Sequence, residues 1–362
     1  MTKGIVLYDH MLVRGGAERV TLEMARLVPD TSLCYGYRLP GMFPDSEFVG
    51  VHCIDLGARS DLRLWRRIKV TRAFERRTKF LADYDWVIYS GTAAPVAVHN
   101  HPVSRNIYYC HTVPRFAYDM REYYLEQTPA IGRPVLNAVA AYTKKKYEAA
   151  LARMDIVIAN SNNVQRRLQE FLGVNAVVVN PPCDVDRYKW LGQDDYYLST
   201  ARLESYKRVD LIVEAFRQLP EKRLVIASGG SQLAALKERA KDCPNIRFVG
   251  WTSDDELAEL VGRCVATIYV AKDEDFGMSP VESMAAGKPV VGVAEGGLLE
   301  TVVKDQTGEL VSSPPSVEDL VSAIHSLDVS RALNMRVACE RRAQLYSREI
   351  FATKMRSFIA KE

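Results

Sequence analysis

Glu274 and Glu282 stand eight residues apart around the stretch Phe276-Gly-Met-Ser-Pro280. Ser279 is a good helix N-cap and Pro280 a good first helical residue. A helix is therefore predicted from there to about Ala286, closed by Gly287. The free N–H groups near Gly277 and Met278 would then point out of a helix N-terminus, a ready anion site. Two carboxylates beside such a terminus, with Phe276 between them, can accept hydrogen bonds from sugar and ribose hydroxyls while the N–H groups meet a phosphate. Upstream, Arg202 and Lys207 lie five positions apart, just after the apolar run Tyr196–Ser199. Two cations so placed can clamp a diphosphate, the arginine bidentately. They would also stabilise that diphosphate as it leaves.

Other candidates are weaker taken singly. Gly15-Gly16 lets a backbone approach a ligand closely, or forms an ordinary turn before a helix. His111 follows an apolar run and is expected at a sheet edge, against the common alternative of a satisfied core histidine. His10, His52, His99, His101 and His325 read as structural, with slight reserve for His10 beside the first glycine loop. Gly229 and Trp251 each follow an apolar run, where a nucleotide can pass. Asp273-Glu-Asp275 has the look of a divalent-cation cluster, yet its middle residue belongs to the Glu274/Glu282 pair, and no metal is expected.

The elements that must position these residues alternate. Apolar runs at 4–8, 86–89, 105–110 and 155–159 read as buried parallel strands, with helical stretches between them. After Val177–Val179, Asn180-Pro-Pro182 stops the chain as a linker would. A second series follows at 196–199, 223–227, 246–249, 266–270 and 289–293. The fold class is α/β, with two Rossmann-like parallel-sheet domains, residues 1–182 and 183–345. A C-terminal amphipathic helix, 346–362, capped by Ser347, is expected to pack back on the first domain. Ligands of such sheets bind outside the carboxyl ends of the strands, so a cleft between two such edges is the expected site.

The 362 residues are 48% hydrophobic and 26% charged, a soluble globular composition rather than a disordered one. No apolar run spans a bilayer, and the N-terminal residues lack a secretory pattern, so a cytoplasmic protein is expected. Seven dispersed cysteines with no CxxC read as reduced thiols. Residues 1–182 hold 24 Lys+Arg against 17 Asp+Glu, whereas 183–362 hold 24 against 28. Much of that excess lies in 59–80, with nine basic residues, two acids and the interleaved Trp65, Ile68 and Phe74. Arg63, Trp65, Arg66, Arg67, Lys69 and Arg72 are the candidates for an anionic membrane surface, with Lys144-Lys-Lys146 in the same half. A solvated helix face is the alternative. Nucleic acid is not expected, since no recognition motif accompanies the charge.

These residues resemble the retaining glycosyltransferases of family 4, of GT-B fold. Glu274–Glu282 matches their Glu-x7-Glu motif, Gly15–Val20 the N-terminal glycine loop, Ala201–Asp210 the Arg…Lys clamp, and Gly296-Gly297 with Glu300–Val302 the loop after the motif. Cys110–Asp119 resembles a segment of O-antigen and exopolysaccharide mannosyltransferases. The resemblance implies Arg202, Lys207, Glu274 and His111 as catalytic, with His111 touching the donor sugar, its main-chain carbonyl being one route. It implies Gly15, Gly16, Gly229, Trp251, Phe276, Gly277, Met278, Ser279 and Glu282 as binding the nucleotide sugar. It further implies no required cofactor or metal, GDP-mannose as favoured donor with a UDP-sugar possible, and a polyprenyl-diphosphate-linked glycan acceptor. Peripheral attachment to the inner face of the plasma membrane is expected through the basic stretch 59–80. No pair of carboxylates stands out as a glycosidase nucleophile and acid, so no covalent intermediate is expected. A sugar-nucleotide epimerase and a nonenzymatic membrane scaffold are the competing readings.

Overall fold

The computed structural model describes residues 2–12, 15–102 and 105–360, with the backbone alone for Arg63 and Leu64. The chain divides into two compact units, Met1–Asn180 with Phe351–Glu362, and Pro181–Ile350. The division falls inside the Asn180-Pro-Pro182 stretch, and the last helix, Arg348–Ile359, belongs to the first unit from Phe351 onward. Ser347 Oγ accepts from Ile350 N at its start. Phe351, Met355 and Ile359 bury one face of it, and Arg356 Nε donates to Leu27 O.

The first unit holds a seven-stranded sheet: β1 (Gly4–Tyr8), β2 (Ser32–Tyr35), β3 (His52–Asp55), β4 (Trp86–Ser90), β5 (Asn106–Cys110), β6 (Ile156–Ala159) and β7 (Val177–Val178). The second holds six strands: β8 (Tyr196–Ser199), β9 (Arg223–Ile226), β10 (Ile246–Phe248), β11 (Thr267–Tyr269), β12 (Val290–Val293) and β13 (Gly308–Val311). All pairings between these strands are parallel. The orders are β3-β2-β1-β4-β5-β6-β7 and β10-β9-β8-β11-β12-β13. Each sheet therefore reverses direction once, between β1 and β4 and between β8 and β11. Such a reversal opens a crevice at the carboxyl ends of the two middle strands, because their crossover helices leave to opposite faces. The middle strands are buried on both faces, as the apolar runs required.

Asp9, just past β1, fixes the first crevice. Its carboxylate accepts from the backbone N–H groups of Thr92, Ala93 and Ala94 at 2.8 Å, and from the Thr92 hydroxyl at 3.0 Å. This ties the end of β1 to the turn after β4. A Cβ on Gly91, at φ +95°, would meet that carboxylate at 2.5 Å. Glycine is the residue that both the backbone and the space allow there.

Candidate active site

In the second unit the candidate residues gather at one sheet edge. Arg202 and Lys207 follow β8, Gly229 follows β9, Trp251 follows β10, and Glu274 follows β11. Lys207 Nζ donates to Glu274 Oε2 at 2.5 Å and to the Tyr269 hydroxyl at 2.9 Å; that hydroxyl donates to the same Glu274 oxygen at 2.9 Å. Only 10% of the Lys207 and 18% of the Glu274 side chain are exposed. Burial works against the Lys207 charge, but the Glu274 carboxylate and Tyr269 oxygen more than offset it and hold its pKa above the ordinary value. Burial, then Glu274, raise the Tyr269 phenol, so it stays protonated. Arg202 is exposed, and its guanidinium donates to the Tyr206 hydroxyl at 3.4 Å. A braced cation thus stands near one that is held loosely.

The loop carrying Glu274 is fixed from behind. Gly297 N donates to Glu274 O at 2.7 Å. A Cβ on Gly296 would meet that oxygen at 2.5 Å, and one on Gly297 would meet Phe276 Cα at 2.4 Å. The glycine pair is therefore a requirement of close backbone approach. Arg208, at φ +53°, pairs with Glu295 and adds a second strap between the loops after β8 and β12.

The helix after β11 runs Met278–Ala285 and starts earlier than predicted. Its N-cap is Gly277 at φ +90°, not Ser279. Glycine takes the sharp left-handed turn that a side chain would resist, and Pro280 is tolerated within the first turn, where its missing N–H has no intrahelical partner anyway. Gly287, at φ +69°, lies just past the C-cap Ala286. Met278 and Ser279 now supply first-turn N–H groups, while Glu282 is buried in the helix. Phe276 departs from expectation: its side chain is core, edge-on to Tyr346 at 5.2 Å, so only its backbone can face a ligand. Trp251 is 68% exposed, with Gly229 beneath it so tightly that a Cβ there would meet Trp251 Nε1 at 2.4 Å. This leaves an indole free for a flat partner. Among the described residues no group of His, Cys, Asp and Glu is arranged to hold a metal ion.

In the first unit, Gly15 is the N-cap of the helix Gly16–Ala25. His111 follows β5, edge-on to Tyr8 at 6.1 Å and to Tyr109 at 5.1 Å. Its carbonyl already accepts from Asn160 Nδ2 at 2.8 Å. Its Nε2 and the neighbouring Thr112 Oγ1 are buried without a hydrogen-bond partner among the described residues. Such orphans are uncommon in native interiors. Burial pushes the His111 pKa down to about 3, so the ring is neutral. His10 stacks on Tyr37 at 5.8 Å and is also lowered, by burial first and then by Arg67 and Arg66, against Asp9.

The basic segment forms the helix Arg63–Arg77. Phe74 is fully buried in the core and is no surface anchor. Arg67 stacks on Phe116 at 4.1 Å, and Arg66 Nε donates to Ser60 O at 3.0 Å. Both are thus engaged with protein and lie within electrostatic reach of His10. Trp65, Lys69 and Arg72 are exposed, and the side chain of Arg63 lies outside those described. Lys146 pairs with Glu75 at 2.6 Å. Among the described residues no helix is long and apolar enough to cross a membrane.

The site residues that the motifs did not single out are Tyr269, Arg208, Glu295 and Asp9. Tyr269 sits in an apolar strand run and reads as core. The others become partners only through long-range folding.

Two doubly wound parallel sheets define a class of α/β proteins whose ligands bind outside the carboxyl ends of the strands. Residues 14–187 match the family described as Glycosyltransferase Family 4, and residues 184–345 match Glycosyl transferases group 1. The chain belongs to these glycosyltransferases, and its fold is GT-B. It is 30% identical over 174 residues to the alpha-1,3/1,6-mannosyltransferase ALG2 of Dictyostelium discoideum, covering 41% of each chain. It is 30% identical over 239 residues to the D-inositol 3-phosphate glycosyltransferase of Corynebacterium aurimucosum, covering 57% of this chain and 56% of that one. It thus spans about half the length of these curated relatives. The structure of Anabaena HepE in complex with UDP and glucose superposes with a TM-score of 0.75 at 16% identity, over 99% of both chains.

Proposed function

We propose that this protein transfers a sugar, with retention of configuration, from a nucleoside diphosphate donor to a glycan acceptor. The observation that carries the reading is the Lys207–Tyr269–Glu274 triad beside Arg202 at the crevice between β8 and β11. Arg202 and Lys207 hold the diphosphate, with the first-turn N–H groups of the helix Met278–Ala285. Glu274, oriented by Lys207 and Tyr269, grips hydroxyls of the donor sugar. Glu282 serves the ribose, and Trp251 stacks on the base above Gly229. His111, whose Nε2 has no hydrogen-bond partner among the described residues, is carried into this reading as a contact of the donor sugar.

In the chemical step the bond from the anomeric carbon to the phosphate oxygen breaks, and a bond to the acceptor oxygen forms on the same face. The acceptor proton passes to the departing phosphate oxygen. The protein contributes position and charge: cations already in place when negative charge develops on the diphosphate need no reorganisation at that moment. No protein nucleophile takes part.

Mannose from GDP-mannose is the favoured donor, supported by the subgroup resemblance of Cys110–Asp119 and by the mannosyltransferase named among the relatives. A UDP-sugar is the second reading, supported by the UDP and glucose named for the Anabaena structure. A polyprenyl-diphosphate-linked glycan is the proposed acceptor, met at an anionic cytoplasmic membrane surface through the helix Arg63–Arg77.

A thermal-shift panel of nucleoside diphosphates and their sugars tests this. One base should stand out, adding about 2.7 kcal/mol at a hundred times its dissociation constant. If none stabilises the protein, the transferase reading fails. Rapid conversion of a nucleotide sugar with no acceptor present would instead make the protein an epimerase.

A further inference from the structure

A cavity of about 400 Å³ opens along the helix Arg63–Arg77 in the first unit. This lies within the size range of sites that hold small ligands. Leu62, Trp65 and Ile68 form its apolar wall, and Lys69, Arg72, Arg76 and Arg77 its charged one. No Asp or Glu lines it among the described residues. Positions 65, 69, 72 and 76 recur at helical spacing and so form one stripe. Arg66 and Arg67 lie off that stripe, engaged with Ser60 and Phe116.

The two walls differ in what they can take. Lys69 Nζ donates to Arg59 O at 2.6 Å, but Arg72 and Arg76 are exposed and have no ion-pair partner among the described residues. Two guanidiniums one helical turn apart suit a phosphate, which each can meet with paired N–H groups. Trp65 is 57% exposed and Leu62 66% exposed. A tryptophan beside arginines is the pairing found where an apolar chain meets a polar head group. A free phosphate would leave the apolar wall wet, and an acidic peptide would not need it.

We propose that this cavity seats an anionic phospholipid, with Arg72 and Arg76 on its phosphate and Leu62, Trp65 and Ile68 against its acyl chain. The proposal rests on the membrane reading above and sharpens it. The helix selects a phosphate-bearing amphiphile one molecule at a time, beyond the diffuse attraction of a basic face for a charged surface.

The full-length protein is titrated with short-chain phosphatidic acid below its micelle concentration, and Trp65 emission is followed, with Trp65→Phe as the control for the other tryptophans. A saturable blue shift is expected that disappears in the control. Arg72→Gln with Arg76→Gln should weaken it at least tenfold and reduce sedimentation with phosphatidylcholine vesicles doped with phosphatidic acid. An equal response to inorganic phosphate, to short-chain phosphatidylcholine or to an oligoglutamate peptide overturns the proposal. So does unchanged vesicle binding by the double variant. The thermal shift with nucleoside diphosphates is read on the same samples. If it persists while the lipid response is absent, the lipid seat falls and the transferase reading stands. If it too is absent, the transferase reading falls.

Discussion

Lys207 Nζ lies 2.5 Å from Glu274 Oε2, and the Tyr269 hydroxyl bonds to both at 2.9 Å. The pair joins the loops after β8 and β11 across the point where the second sheet reverses. Removing one charge from such a pair strands the other. Glu274→Gln should therefore destabilise the unliganded protein by about 3 kcal/mol, the low end for a buried pair, since some solvent reaches both side chains. Urea unfolding measures this. A nucleoside diphosphate that reaches Lys207 supplies the missing negative charge. Its thermal shift should accordingly be larger in the variant than in the parent, and a smaller one argues that the diphosphate never meets Lys207.

Arg202 makes the contrasting case. It is exposed and its side-chain bond to Tyr206 is long. Arg202→Ala should leave the unfolding midpoint within about 0.5 kcal/mol of the parent. Turnover at saturating donor should fall by about 10² or more, the usual effect of losing one preorganised group facing developing charge. Unaltered turnover would remove Arg202 from the mechanism.

Gly297 tests the brace behind Glu274. An alanine there puts a Cβ at 2.4 Å from Phe276 Cα, so backbone must move. Gly297→Ala should cost about 1–3 kcal/mol and lower turnover as Glu274 shifts. Gly192→Ala is the matched control: its φ is +120° but a Cβ there meets nothing within 4 Å. It should lose stability through backbone strain while keeping turnover. Equal kinetics in the two variants would show that the brace has no bearing on chemistry.

The sequence reads well where a segment is buried on both faces. β1, β4, β5 and β12 each carry at least four apolar residues in a row, glycine included in β12, as parallel strands between helix layers must. β2, β3 and β13 escaped because they do not carry that mark. Ser32–Tyr35 opens on a polar residue, His52–Asp55 is an edge strand exposed at both ends, and Gly308–Val311 holds a glycine and a glutamate. In the site, local spacing revealed Arg202, Lys207 and Glu274. Tyr269 was hidden because an apolar strand run gives no sign of which hydroxyl will meet a cation. Arg208 with Glu295 and Asp9 with residues 92–94 were hidden because only the strand order brings them together. The cap at Gly277 was missed for a different reason: Ser-Pro is a strong local start signal, and a glycine at φ +90° overrode it two residues earlier.

His111 gives a prediction in pH. Burial lowers its pKa to about 3 in the folded protein, against about 6.5 when exposed. Between these values the unfolded chain binds a proton that the folded chain does not. Stability therefore rises with pH through this window, is complete above about pH 6.5, and is lost progressively as pH falls toward 3. At pH 5 the deficit from this one ring is about 2 kcal/mol. His10, lowered by burial and by Arg67 and Arg66, acts in the same direction. His111→Gln keeps a polar side chain that binds no proton, so its urea midpoint should change less between pH 7 and pH 5 than the parent's. Loss of activity at pH 7 in that variant, with stability retained, would assign His111 to the reaction through its orphaned Nε2. A variant as pH-sensitive as the parent would mean that the buried ring does not control acid unfolding.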